Sequence, residues 1–277
     1  MYRLAYNANG LRNMDVVHAI HEVASHKYDG IELSLHKAHL HPFTATTELL
    51  DRIKDALVEN NLEVSDLATG ASDLLSDEEY EPSLITCDKE GRKERIRCIK
   101  KSIEIAKYLG IQKVNISSGF KKDDISTEDA MKNLVDGIKE CLEECDDIIL
   151  AIEPEPGMFI GTTEEAIKVI EEVGSEQFKL NLDIGHVVCC EEDYLQKIRN
   201  AVKYTVHTHI EDIKDRVHYH LIPGDGDVDL KTVLAVLKEE DYEEFISVEL
   251  YHHSDVYEKA LTESHSYLSG LMKELND

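Results

Sequence analysis

The sequence predicts a (β/α)8 TIM barrel, read as a single domain over residues 1–277, and three observations support this. Strand-like and helix-like segments alternate from one end of the chain to the other, the pattern of a parallel sheet with helical crossovers. At 277 residues the length suits one closed barrel. No GxGxxG follows the first strand-like run, which counts against an open dinucleotide-binding sheet.

The strand candidates are short apolar runs bounded by polar segments, as buried parallel strands are. In order they are RLAYNA, DGIELSL, EVSDLA, KVNISS, IILAIE, KLNLDI, YTVHTHI and FISVEL. The clearest helical periods between them cover residues 94–109, 126–144, 162–173 and 228–240. Two of these open on N-cap signals with acids in the first turn, Ser126-Thr127-Glu128-Asp129 and Thr162-Thr163-Glu164-Glu165. The connection from Gly70 to Gly91 is the long exception. It falls on the strand-exit side, where long segments serve as active-site lids or are plain insertions.

Composition limits the partners. With 57 Asp and Glu against 30 Lys and Arg the formal net charge is -27, which repels phosphate backbones and anionic membranes at long range. Nucleic acid is therefore not the expected partner, and the plain reading of the charge is solubility. The N-terminal segment has no apolar signal core, and no run approaches the roughly 18 apolar residues of a membrane span. The six cysteines form no CxxC pair, so a reduced, cytoplasmic setting is expected. Assembly into a homo-oligomer is left open.

Four residues carry most of the functional signal: Glu153 after IILAI, Asp183 after KLNL, His209 after YTVHT and Glu249 after FISV. A charge at the end of a buried strand is costly without a partner. Strand C-termini of a barrel converge at one end, where active sites sit. Two glutamates, an aspartate and a histidine form a mixed oxygen and nitrogen ligand set for one divalent cation. The expectation is a metal-dependent enzyme. Taken singly, each such acid could instead cap a helix or pair with a lysine.

The ordered motifs GIELS, IEPEPG, LNLDIGH, HTHIED, IPGDGDVDL and SVEL resemble those of the xylose-isomerase-like TIM barrels over essentially the whole chain. That superfamily holds sugar isomerases and epimerases, inosose and dehydroshikimate dehydratases, and apurinic endonucleases. The resemblance implies Glu153, Asp183, His209 and Glu249 as ligands to Mn, Mg, Co or Zn, and a small-molecule sugar as substrate. It also implies substrate contact by His186, with His218 and His220 as extra ligands or rim groups. In the endonuclease pattern a histidine closes the fourth strand. Here Ser117 and Ser118 stand in that region, which argues against a trinuclear zinc site.

The chemistry expected is isomerisation or epimerisation of a small ketose or polyol. Glu153 and Glu249 would be the catalytic pair, one removing a proton beside a metal-polarised carbonyl and the other returning it through a cis-enediolate. Dehydration, or zinc-dependent phosphodiester hydrolysis, is the alternative. Substrate-binding roles are assigned to His186, His220 and His36, and Glu32 is given a substrate or structural polar role. For His186 and His207 a satisfied buried histidine is the rival reading, and for His218 and His220 an exposed loop position.

Overall fold

The structure, a computed structural model, describes residues 3–70 and 73–276. Eight parallel strands close into one barrel: β1 (Arg3–Asn7), β2 (Gly30–Ser34), β3 (Glu63–Ala68), β4 (Lys113–Ser117), β5 (Ile149–Glu153), β6 (Phe178–Asp183), β7 (Thr205–Ile210) and β10 (Phe245–Val248). Closure is made by β1 against β10, with Arg3 opposite Phe245 and Tyr6 opposite Val248. All eight strand-like runs are strands.

Between β7 and β10 the chain adds a two-stranded antiparallel hairpin, β8 (Asp212–Lys214) and β9 (Val217–Leu221). The outer helices are α1 (Val16–Ser25), α2 (Thr47–Glu59), α3 (Lys89–Leu109), α4 (Thr127–Leu142), α5 (Thr163–Val173), α7 (Tyr194–Ala201), α8 (Leu230–Glu239) and α9 (Tyr257–Glu274). The short α6 (Ile184–Cys190) starts directly at the end of β6.

The expected caps form. Ser126 accepts from the Asp129 amide, and Thr162 and Glu165 make a reciprocal capping box; losing such a cap costs about 1 kcal/mol. Helix α3 starts at Lys89, five residues before the expected 94, because Asp88 caps it through the Glu90 and Gly91 amides. Gly91 is a packing glycine: a Cβ there would lie 2.9 Å from the Pro82 Cβ. The long connection is thus shorter than expected, and its described part is packed. Leu74, Leu84 and Ile85 are buried, and Arg95 donates to the Pro82 carbonyl at 2.7 Å and the Tyr80 carbonyl at 3.2 Å.

Register sets up the site. Between Leu180 and Asn181 the pairing of β6 with β7 slips by one residue, leaving Val206 without an opposite number. Beyond this bulge Asn181 faces His207 and Asp183 faces His209. Without the slip Asp183 would stand beside Thr208, whose side chain alternates with that of His209. Bulges that aim side chains in this way recur beside active sites.

Candidate active site

Each of the four strand-end residues is placed by its own local geometry. Asp183 ends β6 and caps α6: its Oδ1 accepts from the His186 amide at 2.6 Å. Its Oδ2 is buried with no hydrogen-bond partner. Glu153 is the last residue of β5, His209 lies near the end of β7, and Glu249 follows β10 directly. One donor atom from each of the four lies within 4.8 Å of the others.

The imidazole of His209 is the hub. Its Nδ1 is 2.9 Å from Glu153 Oε1, 3.6 Å from Asp183 Oδ2 and 3.6 Å from Glu249 Oε2. A ring nitrogen carries at most one proton, so it satisfies one of those three carboxylates at a time. Three buried or half-buried carboxylates facing one imidazole nitrogen, with an orphaned Asp183 oxygen among them, fit a divalent cation in donor type and number.

The second oxygen of each glutamate is tied back. Asn115 donates to Glu153 Oε2 at 2.7 Å. Asn9 and Asn7 donate to Glu249 Oε1 at 2.8 and 3.1 Å. Each glutamate therefore has one oxygen anchored and one turned toward His209. On the far side of the ring, Nε2 lies 2.9 and 3.0 Å from the two oxygens of Glu32.

The same arrangement separates the protonation states. Burial alone would raise the Glu153 carboxyl, but the His209 and His186 charges outweigh it and the group lies below its usual range. Burial lifts Glu249 to about 8, with the Glu153 and Asp183 charges adding to it. For His209 burial would lower the pKa, yet the charges of Glu32, Glu153 and Glu249 hold it well above its ordinary value. Two chemically equivalent glutamates are thus driven in opposite directions.

A cavity of about 420 Å³ opens above Glu153 and Glu249, walled by Tyr80, Phe120, Met158 and Tyr251. His186 and His220 both line it. His186 hydrogen-bonds the Pro154 carbonyl through Nδ1 at 2.9 Å, and His220 the Glu249 carbonyl through Nδ1 at 2.9 Å. The β8–β9 hairpin carries His218 and His220 into the site, 3.0 Å apart at their Nε2 atoms. His220 is buried, not an exposed loop residue, and burial followed by the His186 and His218 charges lowers it to about 3. With His186 these two form a second cluster whose donor atoms lie within 4.8 Å of one another.

The other sequence candidates lie elsewhere. His36 stands past the end of β2 in the bridge to Leu40, where its Nδ1 accepts from the Ala38 amide; it is not among the residues lining the cavity. His207 is a satisfied core histidine, bonded to Asn181 at 2.8 Å and Ser65 at 3.2 Å. Ser118 accepts from the Ile160 amide at 3.0 Å, so the exit of β4 ties loops together.

Three groups escaped the sequence reading. Asn7 and Asn9 sit in the NANG segment at the exit of β1, a position whose polarity was the available signal. Glu211 is fully buried with both oxygens unpartnered. Burial, then the Asp183 and Glu249 charges, keep its carboxyl well above the usual range.

Comparison with known proteins places the fold and the family. The chain is 28% identical over 149 residues to an inosose dehydratase of Clostridium tetani, covering 47% of this chain and 50% of that protein. It is 26% identical over 208 residues to the hydroxypyruvate isomerase of Escherichia coli, covering 72% of this chain and 77% of that one. The alignments to the inosose dehydratases span about half of those proteins, 50% and 48%. Among solved structures, a D-tagatose 3-epimerase-like protein superposes with a TM-score of 0.83 at 19% identity, over 99% of this chain and 98% of that one. The IolI protein, solved with a bound zinc atom, superposes at 0.82 with 21% identity, over 99% of each chain. The family description "xylose isomerase-like TIM barrel" matches residues 20–270, and the chain belongs to that family.

Proposed function

We propose that this protein is a divalent-metal-dependent isomerase or epimerase of a small ketose or polyol, with Glu153 and Glu249 as the proton-transferring pair. The observation that carries this reading is the disposition of those two side chains. They come from β5 and β10, separated in the wall by β6 and β7. Each has one oxygen anchored by asparagine and one turned toward His209 at the base of the cavity.

A cation held by Glu153, Asp183, His209 and Glu249 (Mn, Mg, Co or Zn) would polarise a substrate carbonyl and acidify the adjoining C–H. The chain's residues do the rest. Glu153, ionised, takes the proton from one face of the substrate carbon. Glu249, which lines the same cavity, returns a proton from the other. His186 and His220, both lining the cavity, orient substrate hydroxyls, and the aromatic wall excludes water. An isomerase and an L-ribulose-5-phosphate 3-epimerase among the relatives support this class.

Dehydration is the second reading, favoured by the inosose dehydratase likeness. It shares the first step, after which the glutamate carrying the abstracted proton would pass it to the departing hydroxyl, released as water. The absence of a histidine at the exit of β4, together with a net charge of -27, disfavours phosphodiester hydrolysis.

The test is a screen of ketoses and inososes in heavy water with Mn2+-supplied protein, read by NMR. Deuterium entering a carbon next to the carbonyl, with a new isomer, supports the reading. Loss of water from an inosose moves the protein to the dehydratases. A metal-loaded protein that binds these compounds and exchanges no proton would overturn both.

A further inference from the structure

Arg12 is the single Lys or Arg among the residues lining the cavity, and the acids of that wall include Glu79, Glu153, Glu155 and Glu249. It caps the short 3-10 turn Ala8–Leu11, three residues after Asn9. In such a turn residues three apart stand on one side, so Arg12 shares the side that carries Asn9 to Glu249. Its backbone amide is fixed by Ser254 Oγ at 3.1 Å, on the loop after β10.

The side chain lacks what an arginine in so acidic a chain would ordinarily find. Its Nε is buried with no hydrogen-bond partner, and no carboxylate among the described residues forms an ion pair with it. The titratable groups on which its charge is felt are histidines rather than acids: burial, with the Arg12 charge adding to it, holds His36, His39 and His252 below their ordinary range. A buried guanidinium N–H without an acceptor is costly. A planar, always-charged fork of donors matches a carboxylate or phosphate in two-point geometry.

We propose that Arg12 is a specificity-determining residue that binds an anionic group, carboxylate or phosphate, on the substrate, at the rim of the cavity on the Glu249 side. Its position makes the substrate a small hydroxylated carbonyl compound bearing one negative group away from the reacting carbon. The inference rests on the proposed sugar-type chemistry of the same cavity. The anionic group offsets part of the acidic potential that would otherwise face such a ligand.

The experiment compares ribulose, ribulose 5-phosphate and ribonate by calorimetry on the Mn2+-supplied protein and on Arg12→Gln and Arg12→Lys. The wild-type protein should bind one of the two anions at least tenfold more tightly than ribulose, and which one it is distinguishes phosphate from carboxylate. Arg12→Gln should erase that preference by about 10- to 100-fold, the scale of a lost charge-assisted hydrogen bond, and leave the ribulose affinity in place. Arg12→Lys, which keeps the charge and loses the fork, should fall between. A wild-type protein that does not prefer either anion, or a glutamine variant that keeps the preference, overturns the proposal. Proton exchange is scored separately: exchange on neutral sugars alone preserves the isomerase reading and rejects the role of Arg12. Anion binding that depends on Arg12 without any exchange does the reverse.

Discussion

Glu32 and His209 are joined across the barrel interior, with Nε2 of the histidine 2.9 and 3.0 Å from the two carboxylate oxygens. Asn7 donates to the same carboxylate at 2.9 Å, so Glu32 is itself held. The pairing holds one proton of His209 on Nε2, so a cation that displaces the other would meet the Nδ1 lone pair directed at Glu153, Asp183 and Glu249. Partners of this kind set the tautomer and basicity of a ligating histidine, and removing them costs 10- to 100-fold in metal affinity. Glu32→Gln should therefore weaken Mn2+ or Zn2+ binding by about that factor with every direct donor intact. Titration calorimetry against the parent protein checks it, and an unchanged affinity would make Glu32 a mere packing group.

Protonation and metal uptake should be opposed. Burial raises Glu249 to about 8. His209 is held well above its ordinary value because three carboxylates outweigh its burial. Without a cation both groups carry protons at neutral pH, and a cation must displace them. The sign for stability follows. A raised Glu249 is protonated when folded, so its contribution falls as pH rises from the ordinary carboxyl range through about 8. A raised His209 contributes most below its unfolded value and loses that as pH climbs through the folded one. In the presence of a chelator the melting temperature should drop between pH 6 and 8.5. The increase in melting temperature produced by Mn2+ should grow over the same interval. A metal-induced shift that is equal at both pH values would contradict this.

How much of this was legible in the sequence depends on whether a property is local. The eight strands and the caps at Ser126 and Thr162 are local patterns, and they appear as read. The four strand-end residues also come together, because a residue closing a barrel strand has only one end of the barrel to point to. Register was not legible: the slip at Val206 that brings Asp183 level with His209 leaves no mark in composition or period. The hairpin was hidden for another reason. In KDRVHYHL the histidines break the apolar signal, so two short strands read as a loop, and for His220 an exposed position stood as the rival to substrate contact. His36 failed as a cavity residue because the chain bends into a bridge with Leu40 just after β2. Partners across the barrel, such as Glu32 with His209, are separated by 177 positions, and no single-chain pattern records such a distance.

Gly185 should be intolerant of a side chain for a reason outside the active chemistry. A Cβ there would fall 1.7 Å from Glu211 Oε1 and 3.0 Å from Ile213 Cδ1. Gly185→Ala must displace a fully buried carboxyl at the point where β6 turns into α6, and overpacking of this kind costs about 1–3 kcal/mol. The double variant Gly185→Ala with Glu211→Ala removes the obstructing group, so the two changes should be strongly non-additive in urea unfolding. Additive effects would mean that the clash is relieved elsewhere.

The final prediction separates the proton-transfer role of the glutamates from ligation. Glu153→Gln and Glu249→Gln keep side-chain length and an oxygen, and Asn115 and Asn9 remain to orient what replaces the carboxylate. Each variant should retain much of its metal while losing turnover and solvent-proton exchange by about 10²-fold or more, the usual scale of general acid–base catalysis. Asp183→Asn and His209→Ala should behave differently. Asp183 offers its orphaned Oδ2 and His209 its Nδ1, and the proposed mechanism gives neither a proton-transfer task. Their loss should appear chiefly as weakened metal binding, and excess metal should restore part of the activity. The comparison requires both metal content and exchange rate for all four variants. If the two glutamine variants exchange substrate protons at the parental rate with metal bound, proton transfer by this pair is excluded, and a hydride shift between adjacent carbons becomes the better mechanism for an isomerase with this site.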